Sequence, residues 1–120
     1  MATMQYQEIG PLSRTDAETI AVDGDPPALA VAVIAVALHE DDLAFAQQYC
    51  VALAQHADAG VRGNAVLAFG HLARRFRTLK VSLVVPLVEA ALRDENAYVR
   101  GQAHSAVEDL NHFLDLEIEV

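Results

Sequence analysis

The sequence of 120 residues contains no tryptophan and a single cysteine, Cys50. One thiol excludes an internal disulfide, and the first residues lack the basic region and apolar core of a secretion signal, so we expect a cytoplasmic protein. The longest apolar run, from Ala28 to Leu38, is shorter than the roughly 18 residues that cross a bilayer. We therefore expect no membrane anchor.

Basic residues are also scarce, with eight against seventeen acidic residues and a formal net charge of −9. Affinity for nucleic acid comes from clustered Lys and Arg, so this balance argues against a nucleic-acid partner. Residues 59–88 hold five bases and no acid, between two acidic ends. This pattern either orients a charged partner or is a solvated surface. We interpret the dense basic stretch from Arg74 to Lys80 as a solvated loop, with an acidic protein surface as its alternative target.

A shift of 38 residues brings two parts of the chain into register, with residues 58–65 over residues 96–103. The matched apolar positions step by three or four, so they lie on one stripe of an α-helix. An apolar-periodic stretch precedes each copy, so each unit is predicted to be a helical hairpin. Asp58 and Asn96 are predicted to cap the second helices.

Two glycines occupy equivalent interior positions of these predicted second helices, Gly63 and Gly101. A glycine inside a helix costs about 1 kcal/mol relative to alanine. Both positions therefore predict close approach by a neighbouring backbone or by a ligand.

The units resemble the HEAT-repeat family, including its bilin-lyase-like subgroup, in a Pro of the first helix, a turn Asp and a Val-Arg pair. The fuller copy has Pro86 in its first helix, whereas the other copy has His56 in place of the turn Asp. The resemblance implies that the turn Asp and the arginine link neighbouring repeats through polar ladders. It assigns structural roles to Val61, Arg62, Asp94, Val99 and Arg100.

The predicted fold is an all-α, short right-handed solenoid of about three HEAT-like hairpins over residues 13–114. The helix predicted at 27–39 is apolar around its circumference and should be enclosed by neighbours. A preceding short helix would begin at a capping box of Thr15 and Glu18. Residues 1–12 are predicted to be an extended or disordered lead-in. The acidic-apolar tail, residues 115–120, is interpreted as frayed, with addition to a partner's sheet edge as the alternative.

The five histidines form no compact set of metal ligands, and Cys50 has no zinc-finger partner at the required spacing. His39-Glu40 is similar to the paired His-Glu motifs of HEAT-like iron hydroxylases, but that family needs several pairs. Phosphate-cradling glycine-rich loops are also missing from the sequence. We predict a protein with no cofactor, no metal and no catalytic residue.

Stacked hairpins expose a row of second helices, which repeat proteins use for recognition. The leading hypothesis is a small acidic inhibitory binder, an immunity protein or antitoxin that masks a basic toxin or nuclease. The alternative is an adaptor or assembly helper similar to bilin-lyase-type HEAT proteins. Weak homodimerisation through the ends of the array is a further expectation. The candidate contact residues are Asn64, Leu67, His71, Arg75, Gln102, Ser105, Glu108, Asp109 and His112.

Overall fold

The computed structural model describes residues 9–120, and within that range it contains α-helices and no strands. The prediction of an all-α fold is confirmed. No helix in this part of the chain is both long and apolar enough to span a bilayer. The six helices are α1 (Arg14–Asp23), α2 (Pro26–His39), α3 (Leu43–Leu53), α4 (Ala59–Phe76), α5 (Val81–Leu92) and α6 (Ala97–Leu114).

Consecutive helices pair as three hairpins, and the second helix of each hairpin packs beside the next. Helix α4 lies between α2 and α6, while α3 packs on α4 and α5 packs on α6. The first helices form a second layer, in which the Tyr49 hydroxyl of α3 donates to the Ala17 carbonyl of α1 at 2.8 Å. This order agrees with stacked hairpins. The right-handed solenoid and the HEAT relationship stay predictions.

Polar caps explain where most helices begin. The predicted caps at Asp58 and Asn96 are confirmed, because each side chain accepts a backbone N–H of the first turn. The predicted capping box of Thr15 and Glu18 is wrong. Ser13 caps α1 instead and accepts from the backbone N–H of Asp16 at 3.0 Å, so the helix starts earlier than the sequence suggested.

The core follows the two central helices. In α2 every residue from 32 to 37 is buried, as expected for a helix enclosed by neighbours. In α4 the side chains of Phe69 and Leu72 are fully buried, and so is Leu110, the counterpart of Leu72 in α6. Removal of this apolar surface from water is the main stabilising contribution to the stack.

The second helices run parallel, and two glycines of α4 let α6 approach closely. A Cβ atom at Gly63 would lie 2.9 Å from ring carbons of Tyr98, and one at Gly70 would lie 2.8 Å from Oδ2 of Asp109. A close approach therefore occurs at Gly63, but it is made by a side chain of α6 and not by the backbone or ligand that was predicted. It does not occur at Gly101, where a Cβ would meet nothing within 4 Å, because no described helix packs against that side of α6.

Both ends of the described chain are held against the helices. The carbonyl of buried Ile9 lies 2.6 Å from Nε2 of His39, so residues 9–12 are an ordered lead-in. Residues 1–8 of the predicted lead-in lie outside the described residues. The prediction of a frayed tail is wrong, since the Asn111 carboxamide bonds both the N–H and the C=O of Ile118 at 2.9 and 3.1 Å. The chain turns back at Asp115, whose φ is 54°.

Candidate partner-binding surface

A hydrogen-bonded polar cluster crosses the layer of second helices. Nδ2 of Asn64 donates to the Ala30 carbonyl of α2 at 3.0 Å, and Oδ1 of Asn64 accepts from the Tyr98 hydroxyl of α6. Gln102 completes the group, because its Nε2 reaches the Tyr98 oxygen at 2.9 Å and Asn64 Oδ1 at 3.4 Å. We call Asn64, Tyr98 and Gln102 the Asn64 cluster. It ties α2, α4 and α6 together at the surface.

Tyr98 gives this cluster an exposed aromatic ring. The residue is 48% exposed, its ring lies on Gly63 and its hydroxyl is held by Asn64. A ring fixed at both ends loses little conformational entropy when a partner covers it, and tyrosines of this kind dominate many interfaces. Sequence reasoning missed Tyr98. The available signal was an aromatic side chain next to, but outside, the apolar stripe of its helix.

A second polar group occupies the opposite end of the same layer. Nη2 of Arg74 donates to Nδ1 of His71 at 3.0 Å, and the Asp109 carboxylate lies against Gly70. Burial raises the pKa of Asp109, and the nearby Arg74 charge opposes that shift. The predicted contacts His71 and Asp109 are thus brought together, but both are partly buried between α4 and α6.

His71 is held in its neutral form. Burial lowers its pKa to about 4, and the Arg74 charge acts in the same direction. Because a guanidinium only donates hydrogen bonds, Nδ1 of His71 accepts and the ring proton lies on Nε2. The ring therefore contributes packing and a hydrogen-bond acceptor at neutral pH, and no charge.

We expect the free energy of unfolding to fall by about 1–2 kcal/mol as the pH drops from about 6.5 towards 4. In this window the unfolded chain protonates His71 while the folded chain resists protonation, so acid favours unfolding. The raised pKa of Asp109 acts oppositely, because protonation of that carboxyl relieves a buried charge. Urea titrations at several pH values measure the loss.

The matched variants for this pH test are His71→Gln and His104→Gln. His104 is exposed on α6 and is not among the charges that act on Asp109, so its replacement should keep the wild-type pH dependence. His71→Gln should flatten it. An unchanged slope in His71→Gln would show that another group causes the loss.

Arg75 is largely engaged within the fold. Its Nη1 donates to the carbonyls of Ala37 and Glu40 at 2.8 and 2.9 Å, at the end of α2, and its Nη2 lies 3.6 Å from Asp41. These bonds satisfy carbonyls that a helix leaves unpaired. Leu67, predicted to face a partner, is also unsuited to that role because it is only 7% exposed.

The basic stretch from Arg74 to Lys80 is therefore not a solvated loop throughout. It begins in the last turns of α4, and Arg77 takes a left-handed conformation at the C-terminal end of that helix. The Arg77 guanidinium then lies 5.1 Å from the ring centroid of Phe113 in α6. Two of its four bases, Arg75 and Arg77, thus contact neighbouring helices, while Arg74, Arg77 and Lys80 stay exposed to solvent.

The remaining candidates lie on the open side of α6. Ser105, Glu108 and His112 are exposed, with the His112 ring edge-on to Phe113 at 4.6 Å. They are available to a partner, and the charges of Glu108 and His112 act on Asp109 together with that of Arg74. Whether any candidate residue contacts a partner stays a prediction.

The residues assigned to structural ladders lie between the second and third hairpins. Nε and Nη2 of Arg62 donate to the two carboxylate oxygens of Asp94 at 2.8 and 2.9 Å. Arg62 also bonds two carbonyls of the turn before α4, and Arg100 bonds the Asp94 carbonyl at 2.7 Å. Val61 and Val99 are fully buried. Arg62 thus fastens one hairpin to the next.

The described residues bring together no group of three side chains that would hold a metal ion. Cys50 is fully buried, and burial raises the pKa of its thiol to about 12. Its thiol therefore stays protonated at neutral pH and packs as a small apolar group.

No known protein-family profile matches the sequence, and no curated protein matches it. Among solved structures, the chain is similar to one in the crystal structure of a CDI complex from Cupriavidus taiwanensis LMG 19424. The two chains share 29% sequence identity and superpose with a TM-score of 0.78. The likeness covers 92% of this chain and 98% of the other. It therefore extends over nearly the whole of both chains.

Proposed function

We propose that this chain is an immunity protein of the contact-dependent inhibition type, which binds a toxin and inhibits it. The observation that carries the proposal is the nearly full-length likeness to a chain of a CDI complex. An inhibitory complex contains a toxin and its inhibitor, and the charge of this chain distinguishes between the two roles.

Charge favours the inhibitor. A toxin that acts on nucleic acid needs a basic surface, whereas this chain carries a net charge of −9. Several of its bases are also engaged internally, as Arg14 is by Asp42, Arg62 by Asp94 and Arg75 by α2. Because each of these ion pairs also neutralises one acid, the net charge of −9 remains on the other side chains, which fits a basic partner.

The Asn64 cluster is the best-prepared anchor for that partner. It presents a fixed aromatic ring beside amide groups, and interfaces are commonly dominated by such central aromatic side chains. The exposed Glu108 adds negative charge nearer the other end of α6, next to Asp109. Inhibition would follow from covering the toxin surface, so this chain would need no chemistry of its own.

Support for HEAT-type hairpins comes from equivalent bonds in the two copies. Arg62 donates to the His56 carbonyl and Arg100 donates to the Asp94 carbonyl, in each case six residues earlier. We therefore propose, as part of the same assignment, a cytoplasmic HEAT-type binding protein without enzymatic activity.

Affinity capture from the native cells, followed by mass spectrometry, tests the function. We expect one basic toxin-like partner, whose expression alone arrests growth and whose co-expression with this chain restores it. Recovery of a multi-protein assembly with no toxic member would contradict the proposal and support the adaptor alternative.

Tyr98→Ala should weaken toxin binding roughly ten-fold or more, because it removes the exposed ring of the Asn64 cluster. Isothermal titration with the captured toxin measures this change. The control is Val22→Ala, which shortens an 82% exposed apolar residue on α1, in the other layer. Equal affinities for the wild type and both variants would exclude the Asn64 cluster as the anchor.

A further inference from the structure

The C-terminal tail is held in an extended conformation along one of its edges. The Asn111 carboxamide bonds both the N–H and the C=O of Ile118. One carboxamide can bond both the N–H and the C=O of a single residue when these two groups point to the same side, as they do in a β-strand. The tail is therefore strand-like at Ile118, although no strand within residues 9–120 pairs with it.

The opposite edge of the tail is open. Leu116 and Ile118 pack against the core, whereas Glu117 and Glu119 are exposed. Because backbone groups of successive residues in an extended chain alternate in direction, those of Glu117 and Glu119 face away from Asn111. They form no hydrogen bond with any residue that the structure describes. Such an edge can pair with another extended chain.

A cleft of about 390 Å³ lies between the tail and α5. Leu92 and Ile118 contribute apolar surface to it, and Arg93 contributes its one base. Three carboxylates surround that base, so the cleft is negatively charged. The acidic residues lining it are Glu89, Glu117 and Glu119.

We propose that this cleft binds an extended, basic segment of the toxin, which adds as a β-strand to the open edge of residues 117–119. Backbone hydrogen bonds would supply affinity, and Lys or Arg side chains would pair with the carboxylates. A second copy of this acidic tail would instead bring like charges together, which disfavours pairing between copies. The inference rests on the proposed function, because it names the part of the surface that the toxin occupies.

Proline substitutions separate the two edges of the tail. Glu119→Pro removes an N–H from the open edge, and Val120→Pro removes one from the edge that faces Asn111. Both are compatible with an extended chain, since proline fixes φ near −65° and favours extended conformations at the residue before it. Glu119→Gln removes the same charge as Glu119→Pro but keeps the N–H.

Binding of the captured toxin to these variants tests the inference. We expect a Kd roughly ten-fold weaker for Glu119→Pro, about three-fold weaker for Glu119→Gln and within about two-fold of wild type for Val120→Pro. In hydrogen exchange, toxin should protect the amides of Glu117 and Glu119, while Ile118 is already protected in the free chain.

The outcomes distinguish the two levels of the proposal. Suppose that the wild type captures a toxin and that all three variants bind it equally, without new protection at Glu117 and Glu119. The proposal that the toxin binds in the cleft is then wrong, while the proposed immunity function is kept. If Val120→Pro weakens binding as much as Glu119→Pro, pairing at the open edge is wrong. A wild-type chain that captures no toxin overturns the function and this inference with it.

Discussion

Phe69→Ala should lower the free energy of unfolding by about 3–5 kcal/mol, the largest effect that we expect from a single substitution. Phe69 is fully buried and belongs to α4, which contacts both neighbouring second helices and the first helices α3 and α5. Truncation would remove a large apolar side chain from the middle of the stack. A domain of this size is stabilised by only about 5–15 kcal/mol, so the variant should approach the limit of folding.

Urea denaturation followed by far-ultraviolet circular dichroism measures the loss. Phe113→Ala is the matched control, because Phe113 is only half-buried near the end of α6. Its truncation should cost about 1 kcal/mol, since part of its surface is already in water. Equal losses in the two variants would mean that the stack has no central core at α4.

Arg62→Ala should destabilise the fold by about 2–3 kcal/mol, the second largest effect. The change removes the Arg62 donor from two turn carbonyls and from the Asp94 carboxylate, which keeps only the backbone N–H of Asn96. The Arg62 and Asp94 side chains are 19% and 15% exposed, so water replaces the lost bonds only in part.

A double-mutant cycle with Arg62→Ala and Asp94→Ala measures the coupling energy between these two side chains. Arg93→Ala serves as the control, because Arg93 is an exposed base of the same region. The Arg62 hydrogen bond lowers the pKa of Asp94. The stabilisation that this bond gives the folded chain is therefore present above the ordinary carboxyl pKa. It is lost as the pH falls through the lowered pKa of Asp94. A coupling energy near zero in the cycle would show that the pair does not fasten the hairpins.

The sequence was sufficient to predict the features that depend on the residues of one helix or one hairpin. The 38-residue register located the hairpins, and the caps at Asp58 and Asn96 were visible because capping is local. The enclosed position of α2 followed from its uninterrupted apolar run. These features depend on residues a few positions apart, which a pattern can show.

The failed predictions concern contacts between distant segments. Arg75 bonds carbonyls at the end of α2, more than thirty residues earlier, and neither the predicted contact row nor the predicted solvated loop indicated those bonds. The tail looked frayed because nothing in its own sequence shows that Asn111 holds it. Tyr98 was missed for a related reason, as its partner Asn64 lies 34 residues away.

The two equivalent glycines show that the packing around a repeated residue depends on its position in the stack. Gly63 lies beneath the ring of Tyr98, whereas Gly101 faces open space. Over evolutionary time the first site should resist larger side chains and the second should accept them. Hairpins that begin with similar sequences would therefore diverge fastest on the faces that are left uncovered, and the uncovered face of this stack is the outer side of α6.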